Sequence, residues 1–119
     1  MNQLEIVNLA EPTEVREFPY GRFEVFRIAG RTLGRAIYEP GWHWSVHVGV
    51  DTGSTLCQVA HLGLVIEGCA VVKMADGREE VMKPGDLFAV PPGHDSWVVG
   101  DQPYVSLHLI GADEYTEPR

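Results

Sequence analysis

The chain has 119 residues, enough for one domain that buries roughly two thirds of its unfolded surface and holds a core without staples. Seventeen acidic against nine basic residues leave a net charge of −8, which repels phosphate backbones and anionic lipid and excludes nucleic acid as a natural partner. Thirteen glycines and eight prolines suit many tight turns and short strands, the signature of an all-β fold.

Met1–Val7 has neither a basic leader nor an apolar run of signal length. No segment approaches the roughly eighteen apolar residues of a membrane span, so a cytoplasmic protein with no membrane partner is expected. Residues 1–20 carry Glu5, Glu11, Glu14 and Glu17 with Pro12 and Pro19 and no sustained periodicity. They read as an N-terminal arm, with at most one short strand, that packs on the barrel or on a neighbouring subunit. Short extended runs follow at Phe23–Ile28 and Thr32–Glu39, separated by Gly30 and closed by Pro40-Gly41.

Ser45–Val50 alternates valines at even positions with Ser45, His47 and Gly49 at odd ones, which predicts a strand with one apolar and one small, polar face. The loop Asp51–Leu56 is expected to form a flap over the barrel mouth. Cys57–Ile66 predicts a longer strand whose inner face carries Cys57, Val59, His61, Gly63 and Val65. Cys69–Met74 and Glu79–Met82 are strands around the hairpin signal Ala75-Asp76-Gly77-Arg78. Cys57 and Cys69 are expected as thiols, because Cys69 follows the turn at Gly68 while Cys57 lies far down the preceding strand. The Pro84-Gly85-Asp86 turn feeds Leu87–Val90, and Pro91-Pro92-Gly93 ends that strand just before His94. Trp97–Val99 and Tyr104–Ile110 complete the set, and residues 112–119 read as a flexible tail. About nine short strands with no amphipathic helix between them suit a sandwich or small barrel over residues 21–111.

Two stretches carry a family resemblance. Gly85, five residues, Pro91, one residue and Gly93 follow the second cupin motif, with Ser96 at its histidine position and His94 two residues early. Gly41, five residues and His47 open the first motif, and His61, six residues and Gly68 close it. Gly49 stands at the motif's second histidine, His61 at its glutamate, and the inner spacer has eleven residues. The chain therefore resembles a small single-domain cupin, which implies an all-β, cupin-type jelly-roll barrel of short antiparallel strands, associated as a homodimer.

A metal site in such a barrel needs lone pairs converging on the lumen, and neutral imidazole and thiolate supply them. The resemblance puts His61 and His47 at ligand positions, and both have small neighbours, Gly63 and Gly49, that leave room for an ion. Cys57, four residues before His61, shares its face; it is a third donor or a small buried hydrophobe. His94 either replaces the missing imidazole, if its loop folds tightly, or points to solvent beside Asp95; Asp95 in turn could orient a neighbouring imidazole. His43, between two tryptophans, belongs to an aromatic rim or a subunit contact, with completing the metal site as the alternative, and His108 belongs to packing or pocket lining. Tyr38, Glu39, Asp95 and Tyr104 are the candidate acids and bases, none forced into the lumen by its spacing.

The expected function is a cupin holding a divalent ion (zinc, iron, nickel or manganese) through His47, His61 and His94 or Cys57. A small organic ligand would occupy the open coordination position. If the protein is an enzyme, the resemblance implies a dioxygenase, isomerase or decarboxylase. The alternative is a metal-free module that binds a small molecule without turnover. No phosphate loop, Gly-x-Ser-x-Gly elbow or Cys-x-x-Cys pair is present to suggest other chemistry.

Overall fold

The computed structural model describes residues 3–113, so most of the expected tail lies outside the described residues. Ala112 is fully buried, which carries the packed chain past Gly111. Nine strands occur among the described residues: β1 (Glu14–Phe18), β2 (Gly21–Ile28), β3 (Arg31–Tyr38), β4 (His61–Glu67), β5 (Cys69–Met74), β6 (Glu79–Met82), β7 (Leu87–Val90), β8 (His94–Val99) and β9 (Tyr104–Ile110). They form two antiparallel sheets, one ordered β1-β2-β3-β9-β4-β7 and the other β6-β5-β8. The protein is all-β, and the side chains enclosed between its sheets make the core.

The turns follow from their residues. β2 and β3 are joined by Ala29-Gly30, both at positive φ (53° and 72°), the backbone that a two-residue hairpin needs to match strand twist. Gly77 at φ 95° closes the β5–β6 hairpin, where the Gly77 amide donates to the Met74 carbonyl at 2.9 Å. At the Pro84-Gly85-Asp86 turn the chain passes from β6 in the small sheet to β7 in the large one. The Gly85 amide donates to the Val65 carbonyl and the Val65 amide to the Asp86 carbonyl, both at 2.9 Å, so the crossing is anchored on β4.

Within the N-terminal arm, β1 pairs with β2 in register Glu14↔Val25 to Phe18↔Gly21. Upstream, the Leu9 carbonyl accepts from Arg35 at 3.1 Å, and Val7 and Leu9 line an apolar groove with Phe26 and Leu33. This explains why Glu24 and Phe26 are buried beside inward-facing Phe23 and Val25, and why Glu24 meets the Arg35 guanidinium at 2.6 Å.

One predicted strand is wrong. Ser45–Val50 is not extended; the chain forms α1 (Trp44–His47) and α2 (Gly49–Thr52), ended by Gly53 at φ 75°. The competing pattern is Trp44, Val48 and Thr52, which recur every four residues and are all buried, whereas Val46 and Val50 are 58 % and 70 % exposed. The period of 3.6 outweighs the valine alternation because two of those anchors, Trp44 and Val48, enter the core cluster. Asp95 assists by accepting the Ser45 amide at 3.0 Å in the first turn. The expected flap therefore begins inside α2.

Candidate metal centre

From Cys57 to Val65 every second residue is buried, as the alternation predicts, although the regular strand starts only at His61. Cys57 stands ahead of it in an isolated antiparallel bridge with His94. The Cys57 amide donates to the His94 carbonyl at 2.7 Å, and the His94 amide to the Cys57 carbonyl at 3.2 Å. Gly93, at φ 92°, makes that return sharp enough, and its own amide also donates to the Cys57 carbonyl at 2.8 Å. The loop Pro91-Pro92-Gly93 thus folds tightly, and His94 is the first residue of β8 rather than a solvent-facing loop residue.

As a result Cys57, His61 and His94 converge. Their donor atoms lie within 4.8 Å of one another and all three residues are buried. Cys57 Sγ is 3.6 Å from His61 Nε2. The His61 and His94 rings meet edge to face at 5.3 Å, and the His108 ring meets that of His61 edge to face at 5.1 Å.

Burial sets the protonation. It pushes the His61 pKa down to about 2, helped by His108 and His94, and that of His108 to about 3, helped by His94. His94 is also lowered by burial, against a hydrogen bond to Pro91 and the charge of Asp95. All three rings are neutral at pH 7. His94 Nδ1 lies 2.8 Å from the Pro91 carbonyl, which can only accept, so Nδ1 carries the proton and Nε2 keeps its lone pair.

The imidazoles of His61, His94 and His108 open onto a cavity inside the barrel, whose other walls include Tyr38, Trp42, Phe88 and Tyr104. Its volume is about 40 Å³. Val72, Met82, Phe88 and Val90 also line a larger cleft between the edges of β6 and β7, which adjoins the cavity. Along β9, Tyr104, Ser106 and His108 share the inner face; Ser106 bonds Tyr104, and its Oγ lies 3.0 Å from His108 Nε2. Burial raises the Tyr104 hydroxyl to about 12.

Not every expected residue joins this cluster. His47 sits at the end of α1, its Nδ1 accepting the His43 amide at 3.0 Å and its ring against Tyr20, outside the group formed by Cys57, His61 and His94. Nor do the neighbouring glycines serve to leave room for an ion. A Cβ at Gly49 would come within 2.7 Å of the Trp44 ring, and one at Gly63 would overlap the Leu107 carbonyl and crowd Phe88. Asp95 orients an imidazole, but that of His43: Oδ2 is 2.7 Å from His43 Nε2, and the His43 ring stacks on Trp97 as part of the expected rim. Of the candidate acids and bases, Tyr38 and Tyr104 reach the cavity wall, directly paired across β3 and β9, whereas Glu39 and Asp95 do not. Trp42 was hidden in the sequence by its neighbours; the buried, core-clustered partner of stacked Tyr38, it has no spacing that marks it as a cavity residue.

Comparison with solved structures places this architecture. A structural-genomics protein of unknown function from Rhizobium leguminosarum bv. viciae 3841 superposes with a TM-score of 0.65 at 18 % identity, over 91 % of this chain and 96 % of that one. The 11S allergen of coconut, Cocos nucifera, matches with a TM-score of 0.62 at 18 % identity, over 89 % of this chain and 34 % of its own. The capsular polysaccharide assembling protein CapF of Staphylococcus aureus gives 0.59 at 17 % identity, over 87 % and 29 %. The fold is cupin-like. The cupin-like chain thus spans about a third of the coconut and staphylococcal proteins. No family model and no curated protein matches its sequence, and identities this low speak for fold alone.

Proposed function

We propose that this cupin-like protein binds a divalent metal ion through Cys57, His61 and His94 and presents it to a small organic ligand in the barrel cavity. The observation that carries the reading is the convergence of three buried donors within 4.8 Å, of which His61 and His94 line the cavity. One thiolate with two neutral imidazoles suits zinc or another late first-row ion, and three protein donors leave a coordination position open. Once bound, the ion would supply Lewis acidity to a ligand held there. The chain's own contribution is then positional. The Pro91 carbonyl fixes the His94 tautomer, the main-chain bridge holds Cys57 and His94 together, and the run Tyr104, Ser106, His108 offers a hydrogen-bonded route for a proton.

Metal content of the untagged protein, measured by elemental mass spectrometry after purification without added metal, tests this. The expectation is close to one equivalent in the wild type, loss in His61→Ala and Cys57→Ala, and retention in His47→Ala. Less than about a tenth of an equivalent in the wild type, persisting after zinc, iron, nickel and manganese are each offered, would sink the proposal.

A further inference from the structure

The barrel wall has a seam between β6 and β7. Among the described residues β6 pairs with β5 alone and β7 with β4 alone, so each ends its sheet and no ladder crosses the cleft between them. A free sheet edge is normally covered or made polar. This cleft, about 330 Å³ in volume, is instead lined by apolar side chains that include Met74, Val81, Leu87 and Ala89, with Val81 and Leu87 55 % and 77 % exposed. The charges on its rim are mostly matched: Arg78 pairs with Asp76 at 3.2 Å and Asp86 with Lys83 at 3.8 Å, while Glu80 is exposed to water.

Four side chains, Val72, Met82, Phe88 and Val90, line both this cleft and the histidine cavity. Phe88 is held in place. Its ring lies over Gly63, where a Cβ would come within 2.6 Å of it, and meets the His108 ring edge to face at 5.5 Å. Met82 is the adjustable member, an unbranched thioether chain, half-buried on a four-residue edge strand.

The two compartments offer different chemistry. The cavity is lined by His61, His94 and His108, neutral at pH 7, and by Ser96, Ser106 and Tyr104, which exchange hydrogen bonds without bringing a full charge. Asp95, beside His94, does not line it; its carboxylate is taken up by His43 and by the Ser45 and Ser96 amides. A charged head group would lose its hydration there with no counter-charge to replace it, whereas a hydroxyl would not. Size adds a second restriction. A water needs roughly 10–15 Å³ of cavity, so about 40 Å³ admits a head of about three or four heavy atoms, and anything longer must continue into the apolar cleft.

We infer that the ligand is an uncharged aliphatic amphiphile, in its simplest form a straight-chain alcohol, whose hydroxyl end sits among the histidines while its chain passes between Met82 and Phe88 into the β6–β7 cleft. The inference rests on the small-ligand half of the reading above and needs no ion. Met82 and Phe88 are then specificity-determining residues, and the cleft binds the chain.

The chain has three methionines, Met1, Met74 and Met82, of which Met74 lines the cleft alone and Met82 both compartments. NMR of the protein labelled at the methionine methyl carbons therefore reads where a bound molecule lies. Titrations of n-hexanol, n-octanol, octanoate and octylammonium into the full chain are made in EDTA at pH 7, so that their outcome is independent of the metal content that tests the earlier reading. n-Octanol should move the Met74 and Met82 methyl resonances saturably. It should bind about tenfold or more tightly than n-hexanol, because each buried methylene is worth roughly fourfold. Octanoate and octylammonium should bind at least about tenfold more weakly than n-octanol. Leu87→Glu, at an exposed cleft position, should weaken n-octanol about fivefold or more; should that variant fail to fold, Ala89→Glu takes its place. A saturable shift at Met74 without Met82, equal affinities for the three octyl compounds, no saturable response to n-octanol, or unchanged affinity in the cleft variant overturns the inference. About one equivalent of metal in the same protein would leave the metal reading standing in each of these cases.

Discussion

Acidification of the metal-free protein between pH 8 and pH 5 should weaken the fold through two imidazoles. In the unfolded chain a histidine binds its proton near pH 6.5, whereas in the folded protein burial holds His61 off until about 2 and His108 until about 3. Between those values the unfolded state carries more protons, so unfolding is favoured as pH falls and stability rises with pH. Integrated from pH 8 to pH 5, each such histidine costs about 2 kcal/mol, or about 4 kcal/mol for the pair. His94, also lowered by burial, acts in the same direction. Against a usual total of about 5–15 kcal/mol this is a large fraction. The lowered carboxyls of Glu14 and Asp76 titrate below this window and do not contribute to it. Urea unfolding in EDTA at pH 8 and pH 5 measures the difference. His108→Gln, compared with itself at the two pH values, should lose about half of it whatever the variant's absolute stability. A wild-type stability constant to within about 1 kcal/mol would refute the reasoning, because it would mean that the folded barrel accepts protons at these rings.

Two substitutions probe how the site is held. Gly63→Ala puts a methyl group into the Leu107 carbonyl of the neighbouring strand and against Phe88; since main chain cannot move aside, a loss of about 2–4 kcal/mol is expected by thermal unfolding, and a change below about 0.5 kcal/mol would show that the β4–β9 ladder yields. Asp95→Ala removes the acceptor shared by His43, the Ser45 amide and the Ser96 amide, so about 2 kcal/mol of stability and the hydrogen-exchange protection of α1 should fall while metal stoichiometry is kept; unchanged exchange at Ser45–Val48 would disprove the anchoring role.

Much of the barrel was legible because its turns need particular residues. The strands at Cys69–Met74, Glu79–Met82, Leu87–Val90 and Tyr104–Ile110 lie where the sequence puts them, each bounded by a glycine or proline turn. The glycines that carry the family resemblance, Gly41, Gly68, Gly85 and Gly93, all adopt φ between 73° and 96°, so the spacing that marks the motif records backbone geometry rather than ligands. Period-2 burial through Cys57, Val59 and His61 was legible for the same local reason. What the sequence concealed depends on distant partners. Trp44 and Val48 gain a core only once the barrel exists, and their burial turns the His47 segment into helix. Trp42 and Tyr38 become cavity walls only by stacking on each other, and Tyr104 joins them through the β3–β9 register.

The helix and the candidate donor set are two sides of one rearrangement. The two positions that the motif spacing singled out, His47 and Gly49, are wound into α1 and α2. A strand can no longer deliver donors from that segment. The eleven residues between Gly49 and His61 instead let Cys57 arrive from the other side, four residues before His61 on the same buried face. Cys57 and His94 exchange main-chain hydrogen bonds, so the backbone itself sets their separation, and the Pro91-Pro92-Gly93 turn that brings His94 in early is what allows the exchange. Lengthening that turn by two residues, which would restore the motif's usual spacing, should therefore move His94 out of reach of Cys57 and lower metal content as severely as removing the imidazole. Full metal retention in the lengthened chain would show that the bridge is dispensable and that His94 finds the site by side-chain freedom alone.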